Sequence, residues 1–147
     1  MKKLLLLSTL FFLLSAPACN KDDEDVAPTK TQLVSKTWKI TELKVTIGTE
    51  VFDSLSVLPA CALDNVVKIL ANGSYTYEEG ATKCDPSDPQ VVFSGNWSFQ
   101  SNETKINLDG DIWDVVVLSP TLLKIRIVMP AEGEIPSFTI DITMVPM

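Results

Sequence analysis

The chain has 147 residues, 46% hydrophobic and 21% charged, enough apolar material for one packed domain and too few charges for global disorder. Its formal charge is −7; setting Lys2 and Lys3 aside with an N-terminal leader takes the 12 basic residues to 10 against 19 acidic ones, which argues against docking on nucleic acid or anionic lipid through charge. There is no histidine, which removes Ser-His-Asp and Cys-His catalysis and the commonest zinc ligand together.

Residues 1–18 read as a bacterial export signal. Lys2 and Lys3 form the positive start, Leu4 to Leu14 an apolar stretch, and Ala16-Pro17-Ala18 the small residues before a cut. The apolar stretch is too short for a permanent membrane-spanning helix, which needs about 20 residues. Cleavage after Ala18 by ordinary signal peptidase releases a soluble protein. Alternatively, small residues just before Cys19 resemble the bacterial lipobox, in which the cysteine becomes the acylated N-terminus, carrying chains such as palmitate. Three cysteines in an exported chain leave one unpaired unless it has another task, and a lipid on Cys19 is such a task.

Residues 19–30 form an acidic tether. Cys19-Asn20-Lys21-Asp22-Asp23-Glu24 resembles the sorting signal of Bacteroidota surface lipoproteins, which implies an outer-membrane lipoprotein, lipid-anchored and exposed on the cell surface. A solvated spacer has the same composition, and a periplasm-facing anchor is the alternative.

From residue 31 to 147 the pattern changes to short apolar alternations. Val91, Phe93, Gly95, Trp97 and Phe99 share one face, as do Leu123, Ile125 and Ile127, and Phe138, Ile140, Ile142 and Met144. In the first strand Trp38 and Ile40 are even-numbered, whereas Leu43, Val45 and Ile47 are odd-numbered. A bulge near Thr41 or Glu42 restores the register and bends the strand. Asn72-Gly73 and Asp109-Gly110 predict type I′ hairpin turns, while Ser119-Pro120 and the stretch 130–136 separate later strands. The expected elements lie near 37–46, 49–53, 66–70, 74–79, 91–99, 104–108, 111–118, 121–128 and 137–145. About eight strands of this kind make an all-β, up-and-down antiparallel barrel.

Cys61 and Cys84 flank the Asn72-Gly73 hairpin and have each other as partners in a disulfide; free thiols or a metal pair are the competing readings, and the metal lacks further ligands. Asp109, Asp111 and Asp114 tempt a calcium reading, but their loop is too short for an EF-hand and Asp109-Gly110 is already explained by turn chemistry. No metal site and no cofactor are expected. Glu78 and Glu79 are adjacent on a strand, so they point to opposite faces and cannot converge as acid and base. They read as a solvent-facing residue and one leading into a loop. With no nucleophile motif either, the chain is not expected to be an enzyme.

An early tryptophan (Leu33 to Trp38), then "CALDNVVKI", "NGSYTY", a second cysteine and "GNWSF" occur in an order that resembles the lipocalin-like lipoprotein domains of Bacteroidota, over most of residues 31–128. The resemblance implies the fold and the address, and little chemistry. In one departure, Ile69-Leu70 stands where an aromatic is usual. Trp38, Tyr75, Tyr77, Trp97 and Trp113 are the candidate ligand-binding residues, lining a pocket for a small apolar or amphipathic molecule. The alternative is a barrel packed solid by these side chains, acting through its outer surface on an envelope or host protein. A cavity beyond about 300 Å³ favours the ligand and a solid interior favours the interaction module.

Overall fold

The computed structural model describes residues 28–147. The leader, Cys19 and the tether through residue 27 lie outside the described residues. A short helix, α1 (Lys30–Val34), precedes nine strands among the described residues: β1 (Thr37–Ile47), β2 (Glu50–Asp53), β3 (Val66–Ile69), β4 (Ser74–Glu78), β5 (Val91–Gln100), β6 (Lys105–Leu108), β7 (Asp111–Leu118), β8 (Leu123–Met129) and β9 (Phe138–Pro146). Every strand lies within two residues of its predicted span.

Neighbouring strands pair antiparallel in the order β1-β3-β4-β5-β6-β7-β8-β9, and β9 pairs back along β1. Eight strands therefore close into an up-and-down barrel of lipocalin-like architecture. The ninth, β2, is the exception to the meander. One edge of β1 is taken by β9 throughout, whereas the other is shared: Thr37–Lys39 pair with β3 and Lys44–Ile47 with β2. The register on β9 shifts between Ile40 and Glu42, so Thr41 is the bulged residue and both apolar runs of β1 turn inward.

The two dipeptide turns differ. Asp109 (φ 51°) and Gly110 (φ 108°) are both left-handed between the paired Leu108 and Asp111, as a type I′ turn requires. At Asn72-Gly73 only the glycine has positive φ, and the Gly73 N–H donates to the Leu70 carbonyl. The loop there has three residues, Ala71 to Gly73, which is the longer hairpin solution that ends in a left-handed glycine. The expected type I′ turn is corrected accordingly. A second correction concerns β5. Its register on β4 shifts so that Tyr77 pairs with Phe93 but Glu78 pairs with Val91, which separates Val91 from the inward face of Phe93, Gly95 and Trp97.

Burial is graded along the barrel axis. At the end where β1 starts, Val34 of α1 and Trp38 are fully buried, with Ile69, Trp97, Ile106, Leu123 and Met144 packed beside them. Full burial of each such side chain stabilises by about 1.5–3 kcal/mol. Both buried indoles keep their N–H satisfied: Trp38 donates to the Val34 carbonyl at 2.7 Å and Trp97 to the Leu70 carbonyl at 2.8 Å. Helix α1 is set by a capping box in which the Gln32 N–H donates to the Thr29 hydroxyl and the Thr29 N–H donates to the Gln32 side chain. This end is closed. Toward the other end the inward residues Leu43, Val45, Ile127 and Ile140 are only half-buried, and Ile47 and Phe93 are exposed.

Candidate functional site

Strand alternation aims medium-sized aliphatic side chains at the middle of the barrel, and they do not fill it. A partly open cavity of about 200 Å³ remains. Its floor is Ile69, Ile106, Leu123 and Met144, each at most 4% exposed. Ile40 and Val67, Tyr75 and Tyr77, and Leu108 with Ile125 and Ile142 make the walls. The lining is apolar throughout. Ile69, the aliphatic residue standing where the resembled family has an aromatic, is one of the floor residues.

Of the five candidate residues, Tyr75 and Tyr77 stand in the cavity wall. Trp38 and Trp97 do not line the cavity; they belong to the closed-end core beside its floor, and Trp113 packs against that core half-buried. The tryptophans serve as the plug and the tyrosines as the wall.

Above Tyr75 the wall is finished by a polar contact. The Tyr75 hydroxyl donates to Asp109 Oδ2 at 3.1 Å, and Asp109 Oδ1 accepts the Asn96 N–H at 2.7 Å. The Asp109 carboxylate lies over Gly95, where an added Cβ would sit 1.8 Å from Oδ2. Burial first, then the hydrogen bond and charge of Asp109 and the charge of Asp111, push the Tyr75 phenol up to about 12. Phe93 leans on the Tyr75 ring at 5.7 Å between centroids.

Above Tyr77 a second polar layer follows. Asn65, just before β3, is 7% exposed; its amide donates to the Tyr77 hydroxyl at 3.2 Å and its oxygen accepts the Gly80 N–H at 2.9 Å. Glu79 lies two residues beyond Tyr77 and is 8% exposed, with its Oε2 buried and without a hydrogen-bond partner. Glu79, expected only to lead into a loop, is buried, and that expectation is corrected here. Glu78 bonds Lys68 on the outer face at 2.6 Å, which holds its carboxyl below the usual range, and β4 continues far enough for its partner Glu79 to be buried. The Glu79 N–H donates to the Gln90 carbonyl, extending the β4–β5 ladder past the last strand residue.

Cys61 and Cys84 form a disulfide, which joins the 3₁₀ turn Ala60–Ala62 to the β4–β5 connection. Asp64 reinforces the same junction by accepting the Thr82 N–H at 3.0 Å. The polar layer is therefore held by two cross-linked loops rather than by regular strands. Asp114 pairs with Lys105, and among the described residues no group of three His, Cys, Asp or Glu side chains is placed to hold a metal. Asn65 was missed in the sequence, Gly95 was read only as part of a strand face, and Glu79 only as a residue leading into a loop. Their roles come from what crosses the barrel to meet them, and only the glycine inside an apolar strand signals a close approach.

No family model matches the chain, and no curated protein does.

Proposed function

We propose that this protein is a lipid-anchored envelope protein, acylated at Cys19 and displayed at the outer membrane, whose barrel binds a small apolar or amphipathic molecule. The observation that carries the binding role is the apolar cavity of about 200 Å³ above the Trp38–Trp97 plug. It falls short of the mark of about 300 Å³ set from the sequence for a ligand pocket and is not the solid interior set for the interaction module; it is larger than the roughly 150 Å³ apolar cavity that accepts benzene. The ligand class that fits is about one ring or a chain of six to eight carbons. A cavity of this kind gains binding free energy from apolar burial with little reorganisation of its walls.

Calorimetric titration of the mature chain carrying Cys19→Ser with toluene and with 1-heptanol tests this reading. Saturable binding to the wild-type barrel and its loss in Leu108→Trp, which fills the cavity, are the expected results. Absence of binding by either molecule overturns it. For the anchor, mass spectrometry of the protein purified from its membrane should find acyl chains on an N-terminal Cys19; a free, unacylated terminus contradicts that part.

A second reading, contact with a protein through the outer wall, is supported by the outward apolar residues Ile112 and Val128, 45% and 60% exposed on adjacent strands. A photo-reactive side chain at Val128 on intact cells should then cross-link to one discrete partner, and a cross-link-free surface argues against it.

A further inference from the structure

We propose that the molecule taken up by the barrel is an amine, its ammonium group held by Glu79 above the apolar cavity. This rests on the ligand-binding reading and deepens it. The apolar cavity accounts for the hydrocarbon part of a ligand; of the buried oxygens without a partner, Ser35 Oγ, Asp64 Oδ1 and Glu79 Oε2, the last is the one that follows the cavity-lining tyrosines on β4. The side chain is 8% exposed and Oε2 has no partner. A carboxylate oxygen buried without a donor is costly, and a cation that reaches it offsets that cost.

Glu79 does not line the cavity itself; it follows directly on β4, one inward step beyond Tyr77, which does. Tyr75 and Tyr77 line the cavity wall, and alternation along β4 carries Glu79 to the same inner face. Asn65 confirms the layer, since it reaches the Tyr77 hydroxyl from the facing strand end while its oxygen is occupied by the Gly80 N–H. A short chain seated on Ile106 and Leu123 would thus present its head group between the two tyrosine rings and Glu79. Aromatic faces beside a carboxylate attract a cation, and the rings add to the ion pair.

Nothing else described in the chain supplies the missing charge. Lys68 is engaged by Glu78 on the outer face, and Lys83 donates to the Asp88 carbonyl. Lys44 pairs with Glu42, Lys105 with Asp114, and Lys124 and Arg126 with Asp141. Lys30 and Lys36 bind carbonyls at Glu103 and Pro120, toward the closed end, and Lys39 alternates outward between Trp38 and Ile40. The charged groups that act on Tyr75, Asp109 and Asp111, are acidic. A fatty acid would bring its carboxylate into this field and be repelled, whereas an ammonium would be drawn in.

Calorimetry on the mature Cys19→Ser chain at pH 7 with 1-heptylamine, 1-heptanol and heptanoate separates the possibilities. The proposal predicts that the amine binds at least tenfold tighter than the alcohol and that heptanoate does not saturate. Glu79→Gln should bring the amine down to the alcohol's affinity while the alcohol changes less than twofold. If the wild-type barrel binds alcohol as tightly as amine, or if Glu79→Gln leaves the preference intact, the amine proposal is overturned and the cavity reading stands. If none of the three binds, the cavity reading falls with it. The wild-type comparison decides even where the variant does not fold.

Discussion

The Tyr75 hydroxyl reaches Asp109 Oδ2, 3.1 Å away, across the space that a side chain at residue 95 would fill. Strands β4, β5 and β6 are tied by that contact, because the same carboxylate accepts the Asn96 N–H. Gly95→Ala should expel Asp109 from its position and cost about 2 kcal/mol of stability, the scale of losing hydrogen bonds to a charged acceptor. In an Asp109→Ala background the same substitution should cost less than about 0.5 kcal/mol, since nothing is left to displace. Urea denaturation of the four proteins in this cycle measures the coupling. Additive losses would show that Asp109 is not what forbids a side chain there.

Tyr75 and Tyr77 are the only tyrosines, so a Tyr77→Phe protein isolates the Tyr75 phenol. Its ultraviolet titration should centre near 12. In Asp109→Asn the midpoint should fall, but not to 10, because burial is the larger cause. The sign for stability follows. A phenol raised in the folded state contributes fully below its unfolded value of about 10, and that contribution is lost as pH climbs from there through about 12. A midpoint near 10 in the parent protein contradicts the site geometry.

The β5–β6 loop holds Ser101, Asn102 and Glu103 at φ 50°, 55° and 61°, three successive L-residues in the left-handed region. Such a conformation costs about 1–2 kcal/mol for an ordinary side chain, and least for asparagine. Glu103→Gly should therefore stabilise the protein by about 1 kcal/mol after the glycine's own entropy loss. The Glu103 carbonyl, which accepts from Lys30 Nζ at 3.0 Å, is kept in the variant. The urea midpoint should rise; a fall would mean that the Glu103 side chain contributes more than its backbone costs.

The Cys61–Cys84 bridge closes a loop of sequence separation 23. On the chain-entropy account its removal costs about 3 kcal/mol. Cys61→Ala with Cys84→Ala should lower the melting temperature by on the order of 10 °C. It should also loosen the Asn65–Glu79 layer first, since two bridged loops carry that layer. Hydrogen exchange at Gly80 and Thr82 is the specific readout, with protection lost there before β8 or β9.

Local chemistry was legible wherever one residue type dictates backbone shape. The odd-even change in β1 called for a bulge at Thr41 or Glu42, which the register places at Thr41, and Asp109-Gly110 located a type I′ turn. Asn72-Gly73 misled because the same dipeptide also closes a three-residue loop when the strand ends one residue earlier. Thr29 to Gln32 carried an unread capping signal, so α1 was absent from the expected elements. Val91 kept its place in the alternation but not its direction, because the extra residue that turns it lies in pairing with β4. The tryptophans were legible as inward and not as plug or wall. Cavity volume is a small difference between the space eight strands enclose and the side chains that fill it, and no linear pattern encodes that difference.

The most direct measurement is intermolecular NOE spectroscopy on the isotope-labelled Cys19→Ser chain with unlabelled 1-heptanol. The account predicts contacts from the ligand chain to the methyl groups of Ile106, Leu123, Ile125 and Met144, which enclose the cavity. Contacts confined to Ile112, Val116 and Val128 on the exterior, or none at all, would contradict it.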